Sequence, residues 1–539
     1  MNKNHVSRKL KRNFAMAMAV AMAAVSLSTA VCAADAPEVD TSRNSTATSD
    51  ERYDKVTVAL PSDPVDLGPT GYGDNSALYT MMNYYENLFD FRDNTYVPIL
   101  AKGYTEVDDK TWDVEIYDYI KDSDGNSITA SDIVFSYNLL IDAGKALKFD
   151  SFDSIEAIDD YTVRFHWTKA IDGVGELEWP LCRVNIVSEK AYNDHPMNSE
   201  PVGTGPYKVT EYVAGAKIVM EANDDYWQTD DLRDAEHLAN VQNLEYDIIA
   251  ESSQHVIALS TDQVQYTEAV PVENLADFEE GGQYAEGHAV YQAQGSGVEV
   301  LYPNCYEGKP TADINLRKAI FYALDNTAIA TVAGTYDPAK AFGTPFFSDY
   351  YEAWETAENN YMVVYDPDKA KEYLDQSSYN GEELVLLCPT DEASKSACTM
   401  IQTFLLQIGI NVTIQAEDGT LLEKDTLDPA KFDLFYKDIG GGSQIGEWNR
   451  PINYNEFGTD YNNAMIHDET LQEELLKCAT VEGHTEENMT EMHNYILDNA
   501  YYYGVCIPKT TAVYSDDFAT LVYREHEFIR PGSCDYYLD

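Results

Sequence analysis

Positive charge is scarce in this chain of 539 residues. Its 36 lysines and arginines stand against 93 aspartates and glutamates, giving a formal net charge of −57 at pH 7. A surface this acidic repels nucleic acid and anionic lipid, because both carry dense negative charge. We therefore expect no nucleic-acid partner. A solvated acidic surface accounts for the charge, which by itself indicates no particular acidic site.

Cysteine is also sparse. Eight occur in the chain, and no two are spaced as Cys-x-x-Cys. Apart from Cys32, an odd number lies scattered from Cys182 to Cys534, which argues against a metal cluster and against a dense disulfide framework. We expect no metal, no cofactor and mostly buried free thiols. A bridge between Cys388 and Cys398 stays open in principle.

Long apolar runs are missing after residue 33, so no stretch there has the length of about 20 residues that a membrane-spanning helix needs. Residues 1–33 have a positively charged start, a short apolar stretch and a small-residue cleavage site, which is typical of a signal peptide. We expect an extracytoplasmic protein, in the periplasm or on the outer face of the cytoplasmic membrane, with residues 34–52 as a flexible lead-in. Cys32 leaves a lipid anchor open, although Val31 stands where lipoprotein signals usually carry Gly, Ala or Ser.

Catalytic motifs are missing from the sequence as well. It contains no His-Glu-x-x-His zinc motif and no phosphate-binding Gly-Lys-Ser/Thr. The stretch from Gly441 to Gly446 resembles a nucleophile elbow, but its closing glycine comes one place late. The ten histidines are dispersed, and the carboxylates are too numerous for any pair to stand out. We expect a protein without enzymatic activity.

The stretch "EPVGTGPYKVTEY" at residues 200–212 has two glycines one residue apart. Pro206 follows them and removes a main-chain N–H, which makes a phosphate cradle a poor interpretation. Alternation resumes at Tyr207 and returns after a turn at Gly215, which predicts a β-hairpin. The glycines are then permissive turn residues that lead into it.

A parallel strand–helix–strand unit is the clearest local pattern. Residues 383–387 form an apolar strand, 393–407 a helix, and 411–415 an alternating strand, with Gly409 ending the helix. This spacing predicts a right-handed βαβ crossover. Such units, separated by β-rich stretches, indicate a mixed α/β protein of at least two lobes.

Capping residues place several helix starts. Thr129 and Asp132 have the spacing of a capping box, and Asp313 and Asp366 each precede a helical stretch. A further helix after the first strand is predicted by an apolar face through Leu78, Met82, Tyr85 and Leu88.

Six stretches then occur in an informative order. They are "YYENLF" (84–89), "VPILAKGYTEVDDKTWDVEI" (97–116), "DGNSITASDIVFSYN" (124–138), "AIDDYTVRF" (157–165), "PVGTGPYKVTEY" with "NDDYW" (201–227) and "NLRKAIFYALDN" (315–326). The series resembles the extracellular solute-binding proteins of ABC importers, in the oligopeptide-, dipeptide- and nickel-binding group, family 5. The likeness covers the chain from about residue 53 to 515.

This resemblance implies an α/β fold with two periplasmic-binding-protein-like lobes of type II, closing about a hinge, and an extra small domain inserted in the first lobe. On this sequence the first lobe would comprise 53–88, 199–298 and 505–539, the inserted domain 89–198 and the second lobe 299–504.

The same resemblance implies a receptor that delivers an oligopeptide or a similar small solute to an ABC-type membrane permease, acting as a monomer. Two alternatives stay open: a ligand-sensing receptor of the same fold that signals to a membrane partner, and a secreted peptide hydrolase.

A departure from the family pattern concerns the ligand. Peptide-binding members usually carry an aspartate on a second-lobe loop, where it pairs with the α-amino group of the peptide. Gly442 falls near that position here, and Asp438 or Glu447 could replace the missing acid. A mobile surface loop anchored by Trp448 is the competing interpretation.

The loop still has the chemistry of a binding site, because consecutive glycines let the main chain approach a ligand and Trp448 offers a flat face. Tyr72 and Asn75 are weaker candidates from the first lobe. The candidate ligand-binding residues are Tyr72, Asn75, Asp438, Gly440, Gly441, Gly442, Gln444, Glu447, Trp448, Asn449 and Arg450.

Overall fold

The computed structural model of the protein describes residues 42–71, 75–92, 95–145, 151–173, 175–229, 232–233, 235–294, 297–334, 336–341, 365–439, 462–524 and 528–538. The described residues form one compact unit. Within the described ranges, no helix has both the length and the apolar character needed to cross a membrane. The predicted signal peptide and the possible anchor at Cys32 lie outside these ranges.

The strands, in chain order, are β1 (Tyr53–Leu60), β2 (Phe89–Arg92), β3 (Thr95–Pro98), β4 (Ala101–Asp108), β5 (Thr111–Ile116), β6 (Phe152–Asp159), β7 (Thr162–Trp167), β8 (Tyr207–Val213), β9 (Lys217–Ala222), β10 (Val241–Ile248), β11 (Tyr266–Thr267), β12 (His288–Gln294), β13 (Val298–Pro303), β14 (Tyr336–Ala341), β15 (Leu384–Pro389), β16 (Val412–Glu417), β17 (Leu434–Ile439), β18 (Tyr503–Ser515), β19 (Tyr523–Arg524) and β20 (Phe528–Ile529).

The α-helices are α1 (Asn75–Met81), α2 (Ala130–Asp142), α3 (Glu178–Cys182), α4 (Glu189–Asp194), α5 (Ser252–Ser260), α6 (Val272–Leu275), α7 (Ile314–Tyr322), α8 (Asn326–Ala333), α9 (Pro367–Gln376), α10 (Glu392–Ile408), α11 (Gly419–Asp425), α12 (Glu469–Ala479) and α13 (Glu486–Asp498).

One sheet runs through the molecule in the order β16-β15-β17-β13-β18-β11-β1-β10-β9-β8, and β12 and β14 also pair with β18. The long strand β18 joins two groups of strands. Its residues 503–508 pair with β13 and β14, and residues 509–515 pair with β12 and β11. The chain passes between the groups a second time from β12 to β13.

Both groups are covered by side-chain cores on two faces. Leu386 of β15 packs in one cluster with Ile401 of α10, while the next residue, Leu387, packs in another with Met492 of α13. Successive side chains of a strand point to opposite faces of the sheet, so each strand contributes side chains to two cores. Val58 and Ala59 of β1 divide in the same way.

A separate four-stranded sheet, β4-β5-β7-β6, has its own aromatic core. Phe165 stacks on Trp167 with ring centroids 5.2 Å apart, and Tyr137 of α2 meets Phe165 edge-on. Helix α2 begins with the predicted capping box of Thr129 and Asp132, which is confirmed. The local capping signal therefore sets the start of the helix that closes this core.

The predicted βαβ unit is confirmed at β15, α10 and β16. The two strands are parallel, and α10 extends one residue further at each end than the expected 393–407. Asp391 accepts a hydrogen bond from the main-chain N–H of Ser394 at 2.8 Å. Gly409 ends the helix with φ of 95°, a left-handed conformation that glycine adopts without a Cβ penalty.

The hairpin predicted after residue 206 is also confirmed, because β8 and β9 pair antiparallel. Its turn contains Gly215 with φ of 70°. The aspartate caps hold as well: Asp313 accepts from the N–H of Asn315 and Asp366 from that of Lys369.

The helix expected to continue through Leu88 was predicted too long, since α1 ends at Met81. The carbonyl oxygens of Asn83 and Tyr84 accept main-chain hydrogen bonds from residues 207 and 205, at 3.1 and 3.0 Å. These carbonyls are therefore held by a distant segment rather than by a following helical turn. Leu88 is nevertheless buried. The apolar pattern therefore indicates correctly that this residue is buried, but it does not indicate where the helix ends.

The cysteines are confirmed as free thiols. All seven from Cys182 to Cys534 are unbridged, and all except Cys305 are buried. Cys388 on β15 and Cys398 on α10 are close enough to hydrogen-bond, and burial raises the pKa of the Cys398 thiol.

Candidate functional site

The carboxyl ends of parallel strands from the two groups point toward each other. Strand β11 is parallel to β1 and antiparallel to β18, so β1 and β11 both end on the side toward the first half of β18. Strand β17 is antiparallel to β13, which is antiparallel to β18. It therefore runs in the same direction as β18, toward the group of strands that contains β1 and β11. β15 and β16 run parallel to β17. In open α/β sheets, ligands bind outside the carboxyl ends of strands. The candidate site lies between these two edges.

Two of the sequence-predicted residues can be placed at these edges. Asp438 lies next to the carboxyl end of β17, where it is exposed and pairs in register with Glu299 of β13. Asn75 is the first residue of α1, which follows the carboxyl end of β1. The others, Tyr72, Gly440, Gly441, Gly442, Gln444, Glu447, Trp448, Asn449 and Arg450, lie outside the described residues.

A carboxylate that the sequence pattern did not indicate lies at the edge formed by the carboxyl ends of β1 and β11. Glu268 directly follows β11, and its Oε1 accepts a hydrogen bond from the hydroxyl of Tyr266 at 2.6 Å. Its Oε2 accepts from the hydroxyl of Tyr79 on α1. The hydroxyl of Tyr523 lies 2.9 Å from that of Tyr266, and the Tyr523 ring stacks on Tyr291 with centroids 5.1 Å apart. We call these five residues the Glu268 cage.

The pKa of Glu268 depends on the burial of its carboxyl group in the Glu268 cage. Burial raises the pKa of Glu268 to about 7, and the hydrogen bonds from Tyr266 and Tyr79 oppose that rise. Residue 268 as a whole is half-buried, and the surrounding protein crowds its carboxylate. A strongly shifted group in such a position is typical of a functional site.

Sequence could hardly have singled out Glu268. It is one of 93 acidic residues, and its partners Tyr79 and Tyr523 lie 189 residues before it and 255 after it. The only local signal is an acid immediately after a short strand, which many residues share.

The second edge also carries acidic groups. Glu417 is the last residue of β16 and only 8% exposed, and its Oε1 accepts from Nε2 of Gln415 at 2.5 Å. Across the described ranges, His, Cys, Asp and Glu side chains do not gather in threes that could hold a metal ion. The chemistry of the site, as far as it is described, is that of carboxylates, phenols and strand-end main chain.

Comparison with solved structures defines the class of fold. The chain matches the ABC transporter substrate-binding protein CtaP from Listeria monocytogenes with a TM-score of 0.74 and 19% identity, covering 91% of this chain and 100% of that one. The protein thus has the mixed α/β, periplasmic-binding-protein-like fold expected from the sequence.

The family follows from the sequence comparison. The family model of the bacterial extracellular solute-binding proteins, family 5 Middle, matches residues 95–456, and the chain belongs to this family. The glutathione-binding protein GsiB of Pectobacterium atrosepticum is 24% identical over 376 residues, covering 67% of this chain and 69% of that protein. The oligopeptide-binding protein OppA of Bacillus subtilis is 22% identical over 475 residues, covering 77% and 83%. The resemblance stated from the sequence motifs is confirmed.

Proposed function

We propose that this protein is an extracytoplasmic receptor that binds an oligopeptide or a similar small solute between the two strand edges and delivers it to an ABC-type permease. The observation that carries the proposal is the opposition of the carboxyl ends of β1 and β11 to those of β15, β16 and β17. Membership in the extracellular solute-binding family supports it, as do relatives named for binding glutathione and oligopeptides.

The proposal includes the lobe boundaries expected from the sequence: 53–88, 199–298 and 505–539 for the first lobe, 89–198 for the inserted domain and 299–504 for the second lobe. The crossing from β12 to β13 near residue 298 and the division of β18 between two groups of strands support them. The separate core around β4–β7 supports the inserted domain. Closure would then rotate the lobes about the two crossings and enclose the solute.

The proposal further holds that the loop 440–450 contacts the solute, with Asp438 beside it at the end of β17. Closure removes the ligand from water, so its polar groups must find partners on the protein. Export through the predicted signal peptide, action as a monomer and the absence of catalysis belong to the same proposal.

The binding step is tested with the mature protein and a library of di- to pentapeptides, including glutathione. A solute that binds only the folded protein raises the melting temperature by mass action. We expect at least one peptide class to do so, and to reduce the radius of gyration in small-angle X-ray scattering, because the lobes close. Mass spectrometry of the same mixtures should show every peptide intact.

The delivery step is tested in the producing cells. Deletion of the gene should abolish uptake of the labelled solute, and a plasmid copy should restore it. If no peptide in the library raises the melting temperature, the proposed binding function is wrong. Uptake that survives deletion, together with a lost transcriptional response to the solute, would instead favour the signalling receptor.

A further inference from the structure

We propose that the Glu268 cage binds a cationic nitrogen of the solute, an ammonium or a guanidinium group, from the first-lobe side of the site. This inference rests on the proposed function and specifies the chemistry of its substrate. It places the recognition of positive charge on a lobe opposite to the loop where the sequence pattern put it.

The hydrogen-bond inventory of the cage leaves room for a ligand. An ionised carboxylate offers about four acceptor positions on its two oxygens. One position on Oε1 is taken by Tyr266 and one on Oε2 by Tyr79. Each tyrosine has a single O–H to donate, so with the carboxylate ionised the Tyr523 hydroxyl donates to Tyr266 rather than competing for Glu268. Acceptor positions on both oxygens therefore remain for N–H donors from outside.

The charge of the cage is not balanced from within. Among the side chains that the structure describes, the hydrogen-bond partners of Glu268 are the two phenols, and none with positive charge forms an ion pair with it. An ionised carboxylate in a crowded site is costly unless a cation or several donors compensate it, which is why burial raises its pKa to about 7. A cationic solute group would supply that compensation on binding.

The walls of the cage suit a cation as well. The rings of Tyr523 and Tyr291 stack with centroids 5.1 Å apart. After burial, the negative charge of Glu268 is the next cause that raises the pKa of both phenols, so this aromatic pair lies near the carboxylate. Aromatic faces attract ammonium and guanidinium groups, by about 0.5–2 kcal/mol depending on desolvation. A neutral amide could donate the same hydrogen bonds but would leave the negative charge uncompensated.

The test uses methylammonium chloride and methylguanidinium chloride as probes, with sodium chloride at equal ionic strength as the reference. Binding is followed by the tyrosine signals in the NMR spectrum of the mature protein. We expect both cations to bind the wild type at pH 8, and Glu268→Gln to weaken binding at least tenfold. The matched control is Asp468→Asn at the start of α12. It neutralises a carboxylate that also accepts hydrogen bonds from two tyrosine hydroxyls, those of Tyr495 and Tyr501, but belongs to neither strand edge, and it should leave the affinity within threefold. Equal affinities for the wild type and Glu268→Gln would overturn the inference.

A second measurement needs only the wild type, in case Glu268→Gln does not fold. The groups facing the carboxylate are Tyr79 from α1, Tyr266 on β11, Tyr291 on β12 and Tyr523 on β19, and the pKa of each is raised above its ordinary value. His255 of α5 contacts the neighbouring Thr267, and burial lowers its pKa. Near pH 7 Glu268 is then the group of this set that titrates. Methylammonium binding should fall roughly tenfold from pH 8 to pH 6 as the carboxylate takes up its proton, and a flat profile would contradict the inference.

The peptide library separates the two proposals. A peptide that binds the wild type and Glu268→Gln equally well would leave the receptor function standing and remove the cation site. If no peptide in the library binds, the proposed receptor function is wrong. The comparison of methylammonium binding to the wild type and to Glu268→Gln would still test whether the Glu268 cage binds a cation.

Discussion

A Cβ placed on Gly203 would stand 1.9 Å from the carbonyl oxygen of Tyr84. Gly203 is not among the glycines with positive φ, so the position requires glycine for close approach and not for a left-handed turn. The neighbouring N–H of Gly205 donates to the same carbonyl oxygen at 3.0 Å. The segment that leads into the hairpin is thus packed directly on the main chain after α1.

We expect Gly203→Ala to lower the free energy of unfolding by about 3 kcal/mol, since backbone must move to admit the methyl group. The matched control is Gly215→Ala in the hairpin turn, where φ is 70° and no atom lies within 4 Å of the new Cβ. Its cost should be about 1 kcal/mol, from backbone strain alone. Urea unfolding of both variants measures the difference, and a smaller loss for Gly203→Ala than for Gly215→Ala would show that the close approach is not as described.

The loop after β7 is joined to the segment after α12. The main-chain N–H of Val481 donates to the carbonyl oxygen of Asp172 at 2.8 Å, and Gly173 forms an isolated antiparallel bridge with Thr480. Val481→Pro removes this donor and should cost about 1 kcal/mol, the net contribution of a typical hydrogen bond. Val481→Ala keeps the N–H, and because the Val481 side chain is 59% exposed, it should leave stability unchanged. Hydrogen exchange at residue 481 in Val481→Ala should be slow, and identical melting curves for the two variants would argue against the link.

The buried imidazole of His493 predicts a pH dependence. Burial lowers its pKa to about 3, below the value of about 6.5 in the unfolded chain. The unfolded state therefore binds the proton first, and stability is lost as the pH falls from about 6.5 toward 3. At pH 5 the loss from this residue is about 2 kcal/mol relative to neutral pH.

The measurement is the difference in unfolding free energy between pH 7 and pH 5. It should be smaller in His493→Gln than in the wild type by that amount, whatever the substitution costs at pH 7. Met492→Leu, at a buried position of the same helix that carries no titratable group, is the control and should retain the wild-type difference. A wild-type pH profile in His493→Gln would mean that the histidine is protonated in the folded state.

The proposed loop contact is tested through Trp448. If its ring packs on the solute, Trp448→Ala should weaken binding by about 2 kcal/mol or more, roughly thirty-fold, with little change in the melting temperature of the ligand-free protein. Asp438→Asn and Glu447→Gln then report whether a charged group lies beside the loop, because only a cationic partner loses an ion pair. A Trp448→Ala protein that unfolds while its folded fraction binds normally would place the residue in the core.

The sequence by itself determined the features that depend on neighbours along the chain. The capping box of Thr129 and Asp132, the end of α10 at Gly409 and the β8–β9 hairpin follow from side chains three residues apart, from the φ that glycine allows and from period-two alternation. The order of six longer stretches was enough to indicate the family, and with it the two-lobed architecture.

Only the tertiary structure decided where distant segments meet. Helix α1 stops at Met81 because the segment at Gly203 and Gly205 lies on the following main chain, and no pattern within residues 75–88 contains that information. The Glu268 cage brings together Tyr79 and Tyr523, which lie in distant parts of the chain, with an acid that nothing in the sequence distinguishes from the other carboxylates. The raised pKa of Glu268 comes from burial, and burial depends on how distant segments pack, which no single stretch of the chain determines.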